Sequence, residues 1–127
     1  MKTIISTTNA PQAIGPYSQA VAVSQGKTVY LSGQIPIDPS VGEITVSDIQ
    51  SQTKQVLSNL NNVLKEAGGD LSNIVKTTVF LSDMNDFSAM NEIYASFFTK
   101  DCPARSTVEV SKLPKNAKVE IEAIAVI

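Results

Sequence analysis

Two stretches of the chain repeat apolar residues at three- and four-residue steps, which is the spacing of amphipathic helices. The first spans residues 49–67 and ends at two successive glycines, and Ser47 with Gln50 forms a capping-box pattern at its start. The second spans residues 87–98, and Asp83 can cap it. The pattern therefore predicts two helices whose apolar stripes pack on a core.

Segments with alternating or β-branched residues, as in strands, occupy much of the remaining chain. They are residues 3–6, 18–24, 29–35, 74–81, 105–110 and 119–127. Gln25-Gly26-Lys27, between the second and third of these segments, predicts a β-hairpin. Because the chain has no linker, low-complexity tract or repeat, the order of elements predicts one α+β domain over residues 1–127. In it, two helices cover one face of a mixed sheet of about six strands.

Alternation assigns the residues of each strand to the two faces of this sheet. In the last strand, for example, Val119 and Ile121 point one way while Glu120 and Glu122 point the other. If the more apolar sets face the helices, the opposite face carries a mixed group: Tyr30, Ser32, Phe80, Arg105, Thr107 and Glu120. Such a semi-polar face is typical of an oligomer interface that holds a polar site, or of a solvated sheet face.

Composition narrows the possible functions. The formal charge of −2 and pI near 5.0 give no electrostatic footprint for nucleic acid or anionic lipid. No apolar run approaches the roughly 20 residues of a membrane span, and the N-terminus lacks a signal-peptide pattern. A single cysteine, Cys102, fits a reducing compartment, so we predict a cytoplasmic protein. With no histidine and no phosphate-binding glycine motif, we expect neither a catalytic triad nor a metal or cofactor site.

Five separated motifs are more specific. They are residues 103–110 with Leu113-Pro114 and 119–123, residues 13–18, residues 32–36, residues 75–80, and the helix segment around Asn91. On these motifs the whole chain resembles the RidA (YjgF) family of enamine/imine deaminases. The resemblance implies a chorismate-mutase-like fold, no cofactor, and a homotrimer whose sheets pack into a central barrel with clefts between subunits.

The resemblance also implies a reaction. The substrates are 2-aminoacrylate and related enamines, which tautomerise to 2-imino acids such as 2-iminopropanoate and 2-iminobutanoate, and hydrolysis gives a 2-keto acid and ammonia. Arg105 suits the role of carboxylate anchor, because its planar guanidinium can hold a carboxylate with two hydrogen bonds. Glu120 suits the role of the base that takes a proton from the attacking water. The hypothesis requires the two groups to lie on the same side of the sheet and to converge on one sheltered cavity.

Five further positions correspond to the family's site, and three of them, Tyr17, Gly33 and Asn91, have a structural alternative. Tyr17 either lines the site across a subunit boundary or is a packing residue, and Asn91 is either a site residue or an exposed helix residue. Ser32 and Gly33 offer a hydroxyl and close backbone approach, although Gly33 also suits a β-bulge. Thr107 stands where many relatives have cysteine, so any function of a thiol at this position is missing.

Two other functional classes compete with the deaminase. Some relatives are non-enzymatic ligand-sensing or regulatory proteins, linked for example to purine regulation. A nuclease or translation inhibitor is a third possibility, but the acidic charge argues against it. Retention of Arg105 and Glu120 favours the deaminase.

Overall fold

The helical periodicity is confirmed in the computed structural model, which describes residues 2–127. Helix α1 spans Ile49–Glu66 and helix α2 spans Phe87–Phe97. The predicted capping box at Ser47 is wrong, because Asp48 is the N-cap and its carboxylate accepts a hydrogen bond from the Ser51 N–H at 2.9 Å. Asp83 caps a short 3-10 turn, Met84–Asp86, that leads directly into α2.

The main sheet has four strands: β3 (Thr28–Gln34), β6 (Ile74–Leu81), β7 (Ala104–Glu109) and β8 (Val119–Val126). Their order across the sheet is β3-β8-β6-β7. Strand β7 runs parallel to β6 and the other neighbours are antiparallel, so the sheet is mixed, as predicted. The sheet therefore has fewer strands than the six expected, because two of the predicted strands, β1 (Lys2–Ile5) and β2 (Ala20–Val23), pair in a separate ribbon. A second short ribbon pairs β4 (Ile37–Asp38) with β5 (Glu43–Ile44).

The predicted hairpin at Gln25-Gly26-Lys27 is wrong. Strand β3 pairs with β8 instead, and backbone hydrogen bonds of 2.7 and 2.9 Å join Lys27 to Ile127. Gly26 has a φ of +132°, and a Cβ there would lie 2.5 Å from a Val126 methyl group. The tripeptide therefore turns the chain closely around the end of β8 and into the main sheet, which only glycine allows.

Both helices lie on one face of this sheet. The alternation predicted for β8 is confirmed, because Val119, Ile121, Ala123 and Ala125 are buried. They pack with the apolar stripe of α1 and with Met90 and Tyr94 of α2. In the part of the chain that the structure describes, neither α-helix covers the opposite face, which we call the open face. Of the helices within residues 2–127, none has the length and apolar character needed to cross a bilayer.

A buried polar pair links α2 to the sheet. The hydroxyl groups of Tyr94 and Thr77 lie 2.7 Å apart, and both residues have no exposed surface. We expect Tyr94→Phe to lower the free energy of unfolding by about 1–3 kcal/mol, because the Thr77 hydroxyl is left buried without a partner. Adding Thr77→Val to Tyr94→Phe should lower the free energy of unfolding little further, because no buried hydroxyl is then left without a partner.

Urea unfolding at one fixed protein concentration measures these differences. Thr99→Val is the control, because it removes a hydroxyl group from an exposed residue outside the sheet and the helices. If Tyr94→Phe were as stable as this control, the hydroxyl pair would contribute nothing.

Candidate functional site

Arg105, the only arginine in the chain, lies half-buried on β7 beneath the start of α2. Its Nη1 donates a hydrogen bond to Asn91 Oδ1 at 2.7 Å. Its Cζ lies 4.8 Å from the ring centroid of Tyr94, 5.6 Å from that of Tyr17 and 5.7 Å from that of Phe87. Three aromatic rings within about 6 Å stabilise the cation and hold its plane in place. We call these five residues the guanidinium cluster.

Among residues 2–127, no carboxylate lies beside the charge of Arg105. Burial lowers the pKa of Arg105, and Tyr94, Tyr17 and Cys102, rather than any carboxylate, partly offset that effect. Arginine nevertheless stays protonated in proteins, and Asn91 is neutral. A half-buried cation without a counter-charge is unfavourable unless an anion binds to it. The remaining N–H donors of the guanidinium are suited to a carboxylate.

Tyr17 reaches this cluster because a tight turn precedes it and a β-bridge to β7 follows it. Gly15 has a φ of +130°, which favours glycine, and the Tyr17 N–H donates to the Gly15 carbonyl at 2.9 Å. Next to it, Ser18 forms a bridge to Ala104, and its N–H donates to the Pro103 carbonyl at 3.1 Å. The Tyr17 ring is thus held beside the first residues of β7.

Thr107 lies two residues after Arg105 on the same side of β7. Its Oγ1 is buried and has no hydrogen-bond partner within residues 2–127. A buried hydroxyl without a partner is unfavourable by about 1–3 kcal/mol, so this position also lacks a polar partner in the single chain.

The structure corrects the predicted sheet face. In register, Arg105 lies beside Thr77 and Thr107 beside Val79, and both of these β6 residues are buried toward the helices. Glu120 lies beside Phe80, which points to the open face. Arg105 and Glu120 are therefore on opposite faces of the same sheet, and one chain alone does not bring them together.

The prediction failed at β7 because the helix side of this edge strand is not the more apolar side. The aromatic residues of α2 accept a guanidinium there, while Val108 is 43% exposed on the open face next to Phe80. For Tyr30, Ser32, Phe80 and Glu120 the predicted common face is confirmed, since Tyr30 pairs with Ile124 and alternates with buried Leu31.

Glu120 lies against Gly33, and Ser32 is the residue before Gly33 on β3; we call these three residues the carboxylate cluster. The β3–β8 register shifts by one residue between Leu31 and Gln34, so Ser32 and Gly33 lie in a β-bulge. A Cβ built on Gly33 would lie 2.2 Å from Glu120 Oε2. The carboxylate therefore rests directly against the Gly33 backbone, and the structural alternative for Gly33, a β-bulge, is confirmed.

We expect Gly33→Ala to displace the Glu120 carboxylate, because the new methyl group would occupy its position. Any activity that depends on Glu120 should fall by about 10- to 100-fold, as expected for a misplaced catalytic group. Gly42→Ala is a control for glycine replacement, since nothing lies within 4 Å of a Cβ there, although its φ of +86° adds strain. Equal kcat in Gly33→Ala and wild type would contradict the prediction.

Phe87 and Tyr94 were missed as site residues. Both fit the helical apolar stripe, and nothing in that spacing distinguishes a core aromatic residue from one that stacks on a cation. Burial raises the pKa of Tyr94 to about 12, so its hydroxyl is neutral at physiological pH. Within residues 2–127 no group of three or more histidine, cysteine or acidic side chains is placed to hold a metal ion.

Comparison with known proteins identifies the family. The family model described as Endoribonuclease L-PSP matches residues 7–127. The chain is 52% identical over 126 residues to the 2-iminobutanoate/2-iminopropanoate deaminase of Mus musculus, which covers 99% of this chain and 92% of the mouse protein. The chain belongs to the RidA (YjgF) family. Other relatives of this RidA-family chain are named only by family: a RutC family protein of Pyrococcus horikoshii is 54% identical over 125 residues and 98% of each chain.

The fold of this RidA-family chain is shared with solved structures. The crystal structure of Escherichia coli TdcF with bound serine superposes with a TM-score of 0.76 at 47% identity, covering 98% of each chain. The expected fold class is thereby confirmed. The two chains therefore share one fold. The serine in the TdcF crystal is an amino acid and carries a carboxylate.

Proposed function

We propose that this protein hydrolyses reactive enamines and imines of small amino acids, such as 2-iminopropanoate and 2-iminobutanoate, to 2-keto acids and ammonia. The observation that carries this proposal is the half-buried Arg105 guanidinium, which is oriented by Asn91 and three rings but has no carboxylate partner in the described part of its own chain. The names of the mammalian relatives at about 50% identity support the same chemistry.

In this proposal Arg105 binds the substrate carboxylate. Its fork of N–H groups holds both carboxylate oxygens and thereby fixes the orientation of the neighbouring C=N carbon. The guanidinium is already held by packing and by Asn91, so little side-chain entropy is lost on binding. The buried Thr107 hydroxyl, two residues away on the same side, can donate to the same anion.

Glu120 acts as the base. A water attacks the electrophilic imine carbon, and its proton passes to the Glu120 carboxylate as the C–O bond forms. Glu120 passes this proton to the imine nitrogen, which gives a neutral carbinolamine. It then takes the hydroxyl proton of the carbinolamine as the C=O bond forms, and delivers it to the nitrogen as the C–N bond breaks and ammonia leaves. The atoms balance as imine plus water giving keto acid plus ammonia. No covalent enzyme intermediate is needed.

Because Arg105 and Glu120 lie on opposite faces of one sheet, the proposal needs the guanidinium cluster of one subunit beside the carboxylate cluster of another. A homotrimer with inter-subunit sites meets this requirement. The open face supports such an assembly, because it carries exposed Tyr30 and Val108 with half-buried Phe80 and Ile124 and no covering helix. A semi-apolar sheet face of this kind is typically covered by a partner. Tyr17 then lines the cleft, with Ser32 and Gly33 opposite it.

The test is a coupled assay in which a serine dehydratase generates 2-aminoacrylate and pyruvate release is followed with and without the protein. We expect the protein to shorten the lag in pyruvate release. If wild type gives no acceleration, the deaminase proposal fails. Binding of 2-oxobutanoate without turnover would then favour the ligand-sensing alternative, and a parallel incubation with RNA tests the activity in the family model's name.

A further inference from the structure

The segment from Thr7 to Tyr17 holds one side of the guanidinium cluster but contains no helix or strand. Inside it, one backbone–backbone hydrogen bond is formed, from Tyr17 to Gly15. Most of its residues are exposed, and Ile14 is 87% exposed. A segment with so few backbone bonds and so little burial needs another source of order.

The Gln19 side chain supplies that order. Its Oε1 accepts from the Thr7 N–H at 2.6 Å, and its Nε2 donates to the carbonyls of Thr7 at 3.0 Å and Pro11 at 2.6 Å. A longer contact of 3.4 Å reaches the Ala10 carbonyl. One carboxamide therefore binds backbone groups spread over five residues, 8 to 12 positions away in sequence, and uses both its donor and its acceptor groups.

The consequence reaches Arg105 through Tyr17. Beyond Pro11 the segment continues to Gly15, whose Cβ position lies 3.8 Å from Asn91 Nδ2 and from the Tyr17 ring. The side chain that fixes the Arg105 plane and the ring that stacks on it therefore both adjoin this segment. Ser18 fixes only its C-terminal end, by a hydrogen bond to the Cys102 carbonyl.

We infer that Gln19 is a positioning residue for the guanidinium cluster, acting through Tyr17. This inference rests on the proposed use of Arg105 as a carboxylate anchor. Gln19 does not touch the substrate; it keeps the Thr7–Tyr17 segment in one conformation, so that the Tyr17 ring is already beside Arg105 when a carboxylate arrives. Without Gln19, part of the binding free energy would be lost in ordering this segment each time a ligand binds.

The test compares Gln19→Ala and the isosteric Gln19→Glu with a matched control. Glu keeps the acceptor for the Thr7 N–H but places a carboxylate beside carbonyl oxygens that need a donor. Gln12→Ala is the control, because Gln12 is an exposed glutamine in the same segment. We expect both Gln19 variants to raise KM by about 10-fold with kcat changed less than about threefold, since preorganisation for binding is lost. The control should match wild type.

A double-mutant cycle with Tyr17→Leu distinguishes positioning from a general loss of structure. If Gln19 acts through Tyr17, Gln19→Ala should change KM by less than about twofold in the Tyr17→Leu background. An undiminished effect in that background would overturn the inference. So would wild-type KM in Gln19→Ala, or hydrogen exchange of residues 7–17 as slow in Gln19→Ala as in wild type.

The two proposals fail in different ways. Turnover by wild type with no Gln19 effect would remove only the role of Gln19. If wild type binds 2-oxobutanoate without turnover, the deaminase proposal fails, and the same cycle measured on the Kd of 2-oxobutanoate decides the role of Gln19. If wild type shows neither turnover nor binding, both proposals are overturned, because Tyr17 then has no ligand to be positioned for.

Discussion

Arg105→Ala should lower kcat/KM for imine hydrolysis by roughly 30-fold to several thousand-fold, the range that corresponds to about 2–5 kcal/mol for losing one partner of a desolvated charge pair. The loss is large because Arg105 is the chain's only arginine and no described group near it can replace the fork. The coupled assay on 2-aminoacrylate measures the change, and gel filtration checks that the assembly is unchanged.

Arg105→Lys separates charge from geometry. Lysine keeps the positive charge but loses the two parallel N–H groups and much of the stacking on Tyr17, Phe87 and Tyr94. We expect it to recover only part of the activity. Lys54→Ala, which removes an exposed charge on α1, is the control. Activity of Arg105→Ala within a factor of three of wild type would exclude Arg105 as the anchor.

Glu120→Gln should reduce kcat by about 10²- to 10⁴-fold with little change in KM, because the amide keeps the shape of the carboxylate but cannot accept a proton. Glu122→Gln is the matched control, since Glu122 lies two residues along β8 on the same open face and is more exposed. If Glu122→Gln lowered kcat strongly and Glu120→Gln did not, Glu122 and not Glu120 would be the base.

Mixing the two inactive variants tests the assembly. Arg105→Ala and Glu120→Gln chains, unfolded together and refolded at equal concentration, should recover about a quarter of wild-type activity if each site joins Arg105 of one subunit to Glu120 of the next in a closed ring. A site within one subunit would recover none, because every chain lacks one of the two groups. The opposite sheet faces of Arg105 and Glu120 make this the decisive experiment for the proposed trimer.

Much of the fold could be predicted from local patterns. The three- and four-residue spacing predicted α1 and α2, since burying an apolar stripe depends on that spacing. Alternation predicted the buried face of β8 for the same reason. The hairpin at Gln25-Gly26-Lys27 could not be judged in this way, because the choice of β8 over β2 as partner of β3 depends on residues about 100 positions away.

The candidate site was predictable in its residue types but not in its geometry. Motif resemblance selected Arg105, Glu120, Tyr17 and Gly33. The roles of Phe87 and Tyr94 were not predicted, because both belong to the apolar stripe of α2, whose spacing indicates core residues. The position of Arg105 was mispredicted because polarity alone cannot show that the helix above an edge strand offers aromatic rings rather than aliphatic groups.

The sequence by itself determined the helices, most strands and the α+β class, because these depend on side-chain chemistry and short-range spacing. It also selected the residues that we propose to bind a carboxylate and move a proton. Only the tertiary structure decided that the guanidinium and the carboxylate face opposite sides of the sheet. That outcome depends on the parallel register of β7 with β6 and on α2 packing over it. Both are long-range contacts, which no local pattern of the chain encodes.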